Sequence, residues 1–512
     1  MDCRSLMRRS AAFFAERTAV IHGEQRLSFA QAWTRGLRLA NALLALGLKP
    51  GDRIGVLEDN SVEAADIFLA AMAANLVRVP LYPRNTREAH RHMLAHTGCR
   101  ALVVSGRYAA DVEPLRAELS ALEHIVVRDE GYARWLARQP ERDPAVTVQP
   151  GDNTIIRHTG GTTGLPKGVA YTHRAWLAAG RDWFYLFPPV MPGDRCLHVG
   201  PISHGSGYFF VPMWLAGGCN VLLDHFDPAA TLELMAREDI GYMFLVPTML
   251  NMLNQAARAQ PGEWPRLKCL QIGGAPITDA TALAAREIFG DRLWQGYGQT
   301  EAVPITMMGP QQWFAELEGS EPLRACGMPL PFAELEIWDE HNRPLAAGET
   351  GQIVVRCDGQ MSGFWNDPQA TRERLVDGWV LTGDIGRVDA NGYVYMLDRA
   401  GDTIISGGYN IYPAELENVL SSHPGVLEAA VFGVPDERWG ESPVAVCVVD
   451  GTTPVSESAL IALCAERLGS YKKPRQVQLR REPLPKSPVG KIRRKELREP
   501  YWAGRDRRVG GS

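Results

Sequence analysis

Between residues 53 and 105, short apolar runs alternate with helical patterns at a spacing that a largely parallel sheet accommodates. Pro50-Gly51-Asp52 turns into an expected strand over 53–57, and a helix over 61–74 follows, with Asn60 and Glu63 as its capping box. A strand over 76–80 comes next, then a helix capped by Asn85 and Glu88 and ended by Gly98, then a strand over 101–105. Strand and helix in turn mean βαβ units. Upstream, runs over 17–22 and 25–28 form a hairpin about Gly23. A helix then starts at Ser28 or Phe29, with Ala32, Leu37, Leu39, Ala40, Leu43 and Leu44 near a 3.6-residue period, and ends at Gly47. A second α/β run has strands expected over 194–200, 242–246 and 267–272 and a helix over 231–238. Its strands end in turns such as Gly273-Gly274-Ala275-Pro276, and the carboxyl ends of parallel strands are where ligands gather. A chain of 512 residues is too long for one core, so two or more domains are expected.

Thr159-Gly160-Gly161-Thr162-Thr163-Gly164-Leu165-Pro166-Lys167-Gly168 lies between two expected strands, 153–158 and 168–172, as a hairpin tip. Its glycines let successive N–H groups converge on one point, its threonines add hydroxyl donors, and Lys167 adds a mobile charge. That combination suits a polyphosphate. It is not a Walker A loop, which needs Gly-Lys-Ser/Thr opening a helix.

Composition narrows the class. The apolar fraction of 45% and charged fraction of 22% are those of an ordinary globular protein. The most apolar window, 67–79, is short and carries Asn75 and Arg78, so no stable membrane insertion is expected; nor is a secretory leader evident after the basic 1–9. Nine cysteines stand singly, without metal spacing, which fits reduced thiols and a cytoplasmic protein. From residue 470 onward fourteen Lys/Arg face four Asp/Glu, a surplus of ten in a chain whose net charge is −5. That tail lacks interleaved aromatics and is cut by Pro483, Pro485 and Pro488, so an anionic small molecule explains it better than nucleic acid.

Four further segments carry chemistry. Gly296-Tyr297-Gly298-Gln299-Thr300-Glu301 sets a carboxylate where a triphosphate-bound Mg²⁺ would want one, although alone such a glutamate is more often an exposed helix start. Thr382-Gly383-Asp384 presents an aspartate able to accept two hydroxyl protons, or else to close an Asx turn. Asp398-Arg399-Ala400-Gly401-Asp402 leads to Gly407-Gly408-Tyr409. Lys486-Ser487-Pro488-Val489-Gly490-Lys491 is a Pro/Gly loop whose lysine, taken alone, would be a solvated charge.

In order, from about residue 10 to residue 497, these segments resemble the adenylate-forming superfamily of acyl-CoA synthetases, firefly-type luciferases and peptide-synthetase adenylation domains. The resemblance implies an α/β fold. Residues 1–399 would form a large domain of mostly parallel sheets with a small β-barrel-like subdomain. Residues 400–512 would form a mobile α+β lid hinged near Gly401. It implies an ATP/AMP site of Thr159, Gly160, Gly161, Thr162, Thr163, Gly164, Lys167, Gly274, Ala275, Pro276, Gly296, Tyr297, Gly298, Gln299, Asp384 and Arg399. Catalytic roles fall to Lys491, Thr300, Glu301 (also the Mg²⁺ residue) and His204, the gate of the acyl pocket. CoA contacts fall to Gly407, Gly408, Trp439, Tyr471, Lys473 and Arg475.

The implied activity is an ATP-dependent carboxylate–CoA ligase, acting through an acyl-adenylate on a fatty or aryl monocarboxylic acid. Donation to a separate carrier protein, luciferase-like oxygenation and non-catalytic nucleotide binding are the alternatives. A homodimer is allowed. Trp183, Phe184, Tyr185, Tyr208, Phe209, Phe210 and Trp214 offer apolar lining for the acyl group, although helix-face packing accounts for most of them equally well, and no cation is identifiable as partner for a second carboxylate. Three positions depart from the family pattern: Gly160 for a common serine, His158 before the loop with no assigned role, and glycine at hinge position 401.

Overall fold

The computed structural model describes residues 1–83, 85–159, 166–399, 402–406, 409–486 and 491–503, with 398 and 399 described by backbone only. Two large sheets carry the α/β part. In one, Leu293–Tyr297, Cys269–Gly273, Ile240–Leu245, Arg195–His198, Cys219–Leu222 and Thr18–His22 run parallel, with short antiparallel strands at both edges. In the other, Val77–Leu81, Arg53–Leu57, Ala101–Ser105 and His124–Arg128 are parallel, and Asn153–Thr159 joins them beside Val77–Leu81. A third sheet, the barrel-like subdomain, is antiparallel and built on Gly351–Cys357 and Trp379–Val388.

The sequence makes these elements for local reasons. Gly23, at φ +57°, turns the hairpin between Thr18–His22 and Gln25–Ser28. Ser28 then caps the helix Phe29–Ala45, exchanging bonds with Gln31 in a capping box. Gly36 in that helix is required by packing, since a β-carbon there would lie 2.5 Å from Leu69 Cβ on the helix Val62–Ala74. Val62–Ala74 is buried on nearly every face and shares one hydrophobic cluster with residues of both large sheets.

Two capping expectations are corrected by one residue each. Ser61, not Asn60, caps Val62–Ala74, and Thr86, not Asn85, caps Arg87–Thr97. Asn60 is drawn off by longer-range partners. Its amide donates to the carbonyls of His198, Gly200 and Leu223 at 2.9–3.0 Å and accepts from Ile202 N–H at 2.9 Å. Four bonds inside the fold outweigh one exposed cap.

The C-terminal residues build their own cluster around Ile404, Leu416, Val431, Ala445, Leu460 and Val477. Val426–Asp436 and Gly440–Val449 pair antiparallel, Gln476–Arg480 runs parallel to the latter, and the helices Pro413–Ser421 and Glu457–Leu468 pack on this sheet. All nine cysteines are unpaired and eight are buried.

Candidate active site

Asn153–Thr159 and Lys167–Thr172 pair antiparallel, with Thr159 opposite Lys167, so the strands flanking the glycine–threonine segment form one hairpin. Gly160, Gly161, Thr162, Thr163 and Gly164 lie outside the described residues, as do Gly401, Gly407 and Gly408 and the side chain of Arg399. The loop's base is described. Lys167 Nζ lies 3.8 Å from Asp367 and 5.4 Å from the centre of the Phe364 ring. His92 donates from Nε2 to the Pro166 carbonyl at 3.0 Å, and His96 Nδ1 meets His158 Nε2 at 3.3 Å. Burial, with His96 and His92 alongside, holds His158 down at about 3, so it stands neutral beneath the loop.

The carboxyl ends of neighbouring parallel strands bring the next group together. Cys269–Gly273 ends in the turn Gly274-Ala275-Pro276, where Gly274 takes φ +84°. Leu293–Tyr297 beside it leads into Gly298, Gln299, Thr300 and Glu301; Gln299 and Ala302 exchange backbone bonds, which closes that turn. A β-carbon on Gly273 would lie 2.8 Å from the Gly296 carbonyl, so both glycines allow the strands' close approach.

Asp384 is 2% exposed on Trp379–Val388, after Gly383 at φ +69°, and pairs in register with Arg399. Its Oδ2 accepts from Tyr297 Oη at 2.6 Å and from Gln299 Nε2 at 2.5 Å. Burial and the adjacent Asp384 push the Tyr297 phenol well up, so it remains a donor. Glu301 is 6% exposed; Arg374 Nη2 stands 3.5 Å from its carboxylate, while Nη1 of the same side chain donates to the Leu381 carbonyl at 2.7 Å. The Thr300 carbonyl accepts from Tyr171 Oη at 2.8 Å. Among the described residues no cluster of three or more His, Cys, Asp or Glu is arranged for a metal ion. A lone carboxylate fits an ion that draws its other ligands from phosphate and water, the habit of Mg²⁺.

His204 sits on the loop after Arg195–His198. Burial first, then Arg157 and Lys491, hold its imidazole down at about 3. The Pro201–Gly207 stretch is tightly specified: a β-carbon on Gly207 would lie 1.8 Å from the Ile202 carbonyl, and His198 bonds Ser206 and Asn220. Behind it, Trp183, Phe184, Phe209 and Phe244 meet edge to face, and Trp183 reaches within 3.5 Å of a β-carbon position on Gly296. Three expected lining residues point elsewhere. Phe210 packs on Phe68 and Trp214 on Phe29 in the core, while Tyr185 is exposed against Phe332. One helical face cannot serve both core and pocket.

Lys491 comes from the C-terminal region, with its Cε 4.0 Å from the β-carbon position of Gly274. The segment is anchored by the isolated bridge Lys486–Ile492, the Lys486–Glu428 ion pair and the two-pronged Arg494–Glu417 pair at 2.6 and 2.9 Å. On the same C-terminal part, Tyr471 is half exposed and packs against Tyr409, the rings tilted with centres 5.3 Å apart. Trp439 is also half exposed, under Arg438, and Lys473 is exposed. Arg475 is exposed and ion-pairs with the buried Asp436, whose Oδ1 accepts from the Arg438 and Trp439 N–H groups.

Sequence reasoning missed Tyr171, Arg374, Asn60 and above all Arg157. The signal for Arg157 was a charge within an otherwise apolar strand, Thr154-Ile155-Ile156-Arg157.

The family model for AMP-binding enzymes matches residues 7–365, and that for the AMP-binding enzyme C-terminal domain matches residues 415–491. A feruloyl-CoA synthase from Amycolatopsis is 35% identical over 498 residues, spanning 96% of this chain and 98% of its own. The long-chain-fatty-acid–CoA ligase FadD13 of Mycobacterium tuberculosis is 32% identical, spanning 93% and 94%. A solved Mycobacterium tuberculosis fatty acyl CoA synthetase superposes with a TM-score of 0.77 at 30% identity, covering 99% of both chains.

Proposed function

Since the chain belongs to the AMP-binding enzyme family, we propose that it is an AMP-forming carboxylate–CoA ligase acting on a fatty or aryl monocarboxylic acid. The observation that carries this reading is the position of Lys491, brought from the C-terminal region to the Gly274 turn and close enough to His204 to depress its imidazole.

In the first half-reaction a carboxylate oxygen of the acid attacks the α-phosphorus of ATP, and pyrophosphate leaves. Lys491 offsets the charge that develops on the reacting carboxylate and α-phosphate. The glycine–threonine loop and Lys167 hold the β- and γ-phosphates, and Thr300 stands beside the α-phosphate. Asp384, fixed by Tyr297 and Gln299, takes the ribose hydroxyls with Arg399. Glu301 is the carboxylate for Mg²⁺, which when bound neutralises charge on the departing pyrophosphate. His204 stays neutral and closes the acyl pocket.

In the second half-reaction the CoA thiol displaces AMP from the acyl-adenylate. Residues 400–512 act as a lid that turns about Gly401, withdrawing Lys491 and presenting Gly407 and Gly408. Trp439 and Tyr471 line the path of the pantetheine arm, and Lys473 meets the nucleotide end of CoA.

The relatives that act on feruloyl and long-chain fatty acyl groups support both acid classes, and the aromatic wall of Trp183, Phe209 and Phe244 suits either. The test is pyrophosphate release with ferulate and with a saturated fatty acid, each with and without CoA. Acid-dependent release, with thioester forming only when CoA is present, is expected. Release that ignores the acid would refute the reading.

A further inference from the structure

We propose that Arg157 is a positioning residue that locks the His204 loop to the strand feeding the phosphate loop, coupling the acyl and nucleotide halves of the site. The proposal rests on the function proposed above.

Arg157 stands on Asn153–Thr159, two residues before Thr159, and is 2% exposed. Its Nη2 donates to the His204 carbonyl at 2.7 Å. Its Cζ lies 4.2 Å from the Tyr208 ring centre and 4.8 Å from that of Trp176, and the two rings stack on each other at 4.9 Å. Among the described residues no Asp or Glu pairs with it, and its buried Nε has no hydrogen-bond partner. Arg78, itself buried, adds a second positive charge nearby.

A guanidinium buried without a carboxylate is an expensive choice for a strand interior. Ring faces, the bond to the His204 carbonyl and a bond to the Tyr208 hydroxyl offset only part of that cost. An apolar side chain of similar length would fill the space more cheaply. What it could not do is reach across to the His204 carbonyl.

That bond has a definite mechanical consequence. The carbonyl accepts from Gly207 N–H at 3.1 Å and from Arg157, while Asn60 grips the other end of the loop through Ile202 and Gly200. Asn60 fixes the loop to the scaffold. Arg157 fixes it to the strand Asn153–Thr159, which leads into the glycine–threonine segment proposed to hold phosphate. A shift of that strand on ATP binding would then be delivered to His204 through one rigid planar group, and filling of the acyl pocket would be felt in reverse along the strand.

The experiment uses Arg157→Met, Arg157→Gln and Arg157→Lys in the full chain. In pyrophosphate release, Arg157→Met should raise the KM for the better of ferulate and a saturated fatty acid about tenfold or more, the loss expected for one charge-assisted bond. It should also abolish the dependence of that KM on ATP concentration. Thioester formation from supplied acyl-adenylate and CoA should change far less, and Arg157→Lys should recover part of the KM. Amide hydrogen exchange over 201–207 supplies a readout without turnover: ATP alone should slow it in the unaltered chain and leave it unchanged in Arg157→Met.

Equal losses in both half-reactions, following the folded fraction, would overturn the proposal in favour of a packing role. So would an unchanged KM or an ATP effect on exchange that survives Arg157→Met. If Arg157→Met does not fold, Arg157→Gln and Arg157→Lys decide by the same criteria. An unaltered chain that releases no pyrophosphate would refute the ligase reading, and the exchange measurement would still decide the coupling.

Discussion

Lys491 stands against Gly274, its Cε 4.0 Å from where a β-carbon on that glycine would lie. The two residues belong to distant parts of the chain, and Asn418, also C-terminal, accepts from the Asp279 N–H a few residues past the same turn at 3.1 Å. The arrangement suits adenylation, because it sets an ammonium beside the strand ends where the α-phosphate is proposed to lie.

Lys491→Ala should therefore slow adenylation by roughly two to three orders of magnitude, the usual loss when one transition-state donor is removed. Thioester formation from supplied acyl-adenylate should be nearly unaffected. Single-turnover kinetics of each half-reaction measure this, and equal slowing of both would make the lysine structural.

Asp384→Ala removes the acceptor of two bonds, from Tyr297 and Gln299, and the proposed ribose contact. Bonds to a charged group contribute about 1.5–3 kcal/mol each, so the Kd for ATP should rise about ten- to a hundredfold. Equilibrium ATP binding is the check. An unchanged affinity would leave Asp384 as a strut between two sheets.

Lys473→Glu should raise the KM for CoA severalfold, about 1 kcal/mol for an exposed ion pair, without altering acid-dependent pyrophosphate release. Arg475→Glu should behave differently, because it places a carboxylate beside the buried Asp436. It should lower the melting temperature as well as CoA turnover. Identical behaviour of the two variants would contradict the distinction drawn from the Asp436 pair.

Acid should destabilise the fold well above the range of ordinary carboxylate titration. Burial holds His158 and His204 at about 3 and His173 and His198 at about 4. Below the unfolded value near 6.5 the unfolded chain binds protons that these groups refuse, so stability falls as pH drops from there towards 3–4. Each histidine contributes at most about 1.4 kcal/mol per pH unit. Glu58, raised to about 7, and Asp66, raised to about 6, both by burial, act with the opposite sign between their unfolded values and those. Four groups outweigh two, so the urea midpoint should be lower at pH 5 than at pH 7. A midpoint that rises on acidification would show that these imidazoles are charged in the native state.

Sequence by itself determined what depends on neighbours along the chain. The Gly23 hairpin, the helix starting at Ser28 or Phe29 and the paired strands flanking the glycine–threonine segment follow from local conformational preference and period. The ordered motifs likewise named Asp384, Glu301 and Lys491 before any geometry was known. Tertiary structure decided everything that rests on partners far apart in sequence. Asn60 looked like a cap because only its neighbours were visible; its real partners lie 138 to 163 residues away. The pairing of Arg475 with Asp436, 39 residues earlier, is likewise made only by folding. Phe210 and Trp214 share a helix, Phe210–Leu215, whose buried side faces the core, a choice set by which neighbouring helix it meets. Arg157 is a charge in an apolar run, and only folding brings it to the carbonyl of a residue 47 positions on. Burial and long-range hydrogen bonds arise when the chain closes on itself, and no local pattern encodes which groups will then meet.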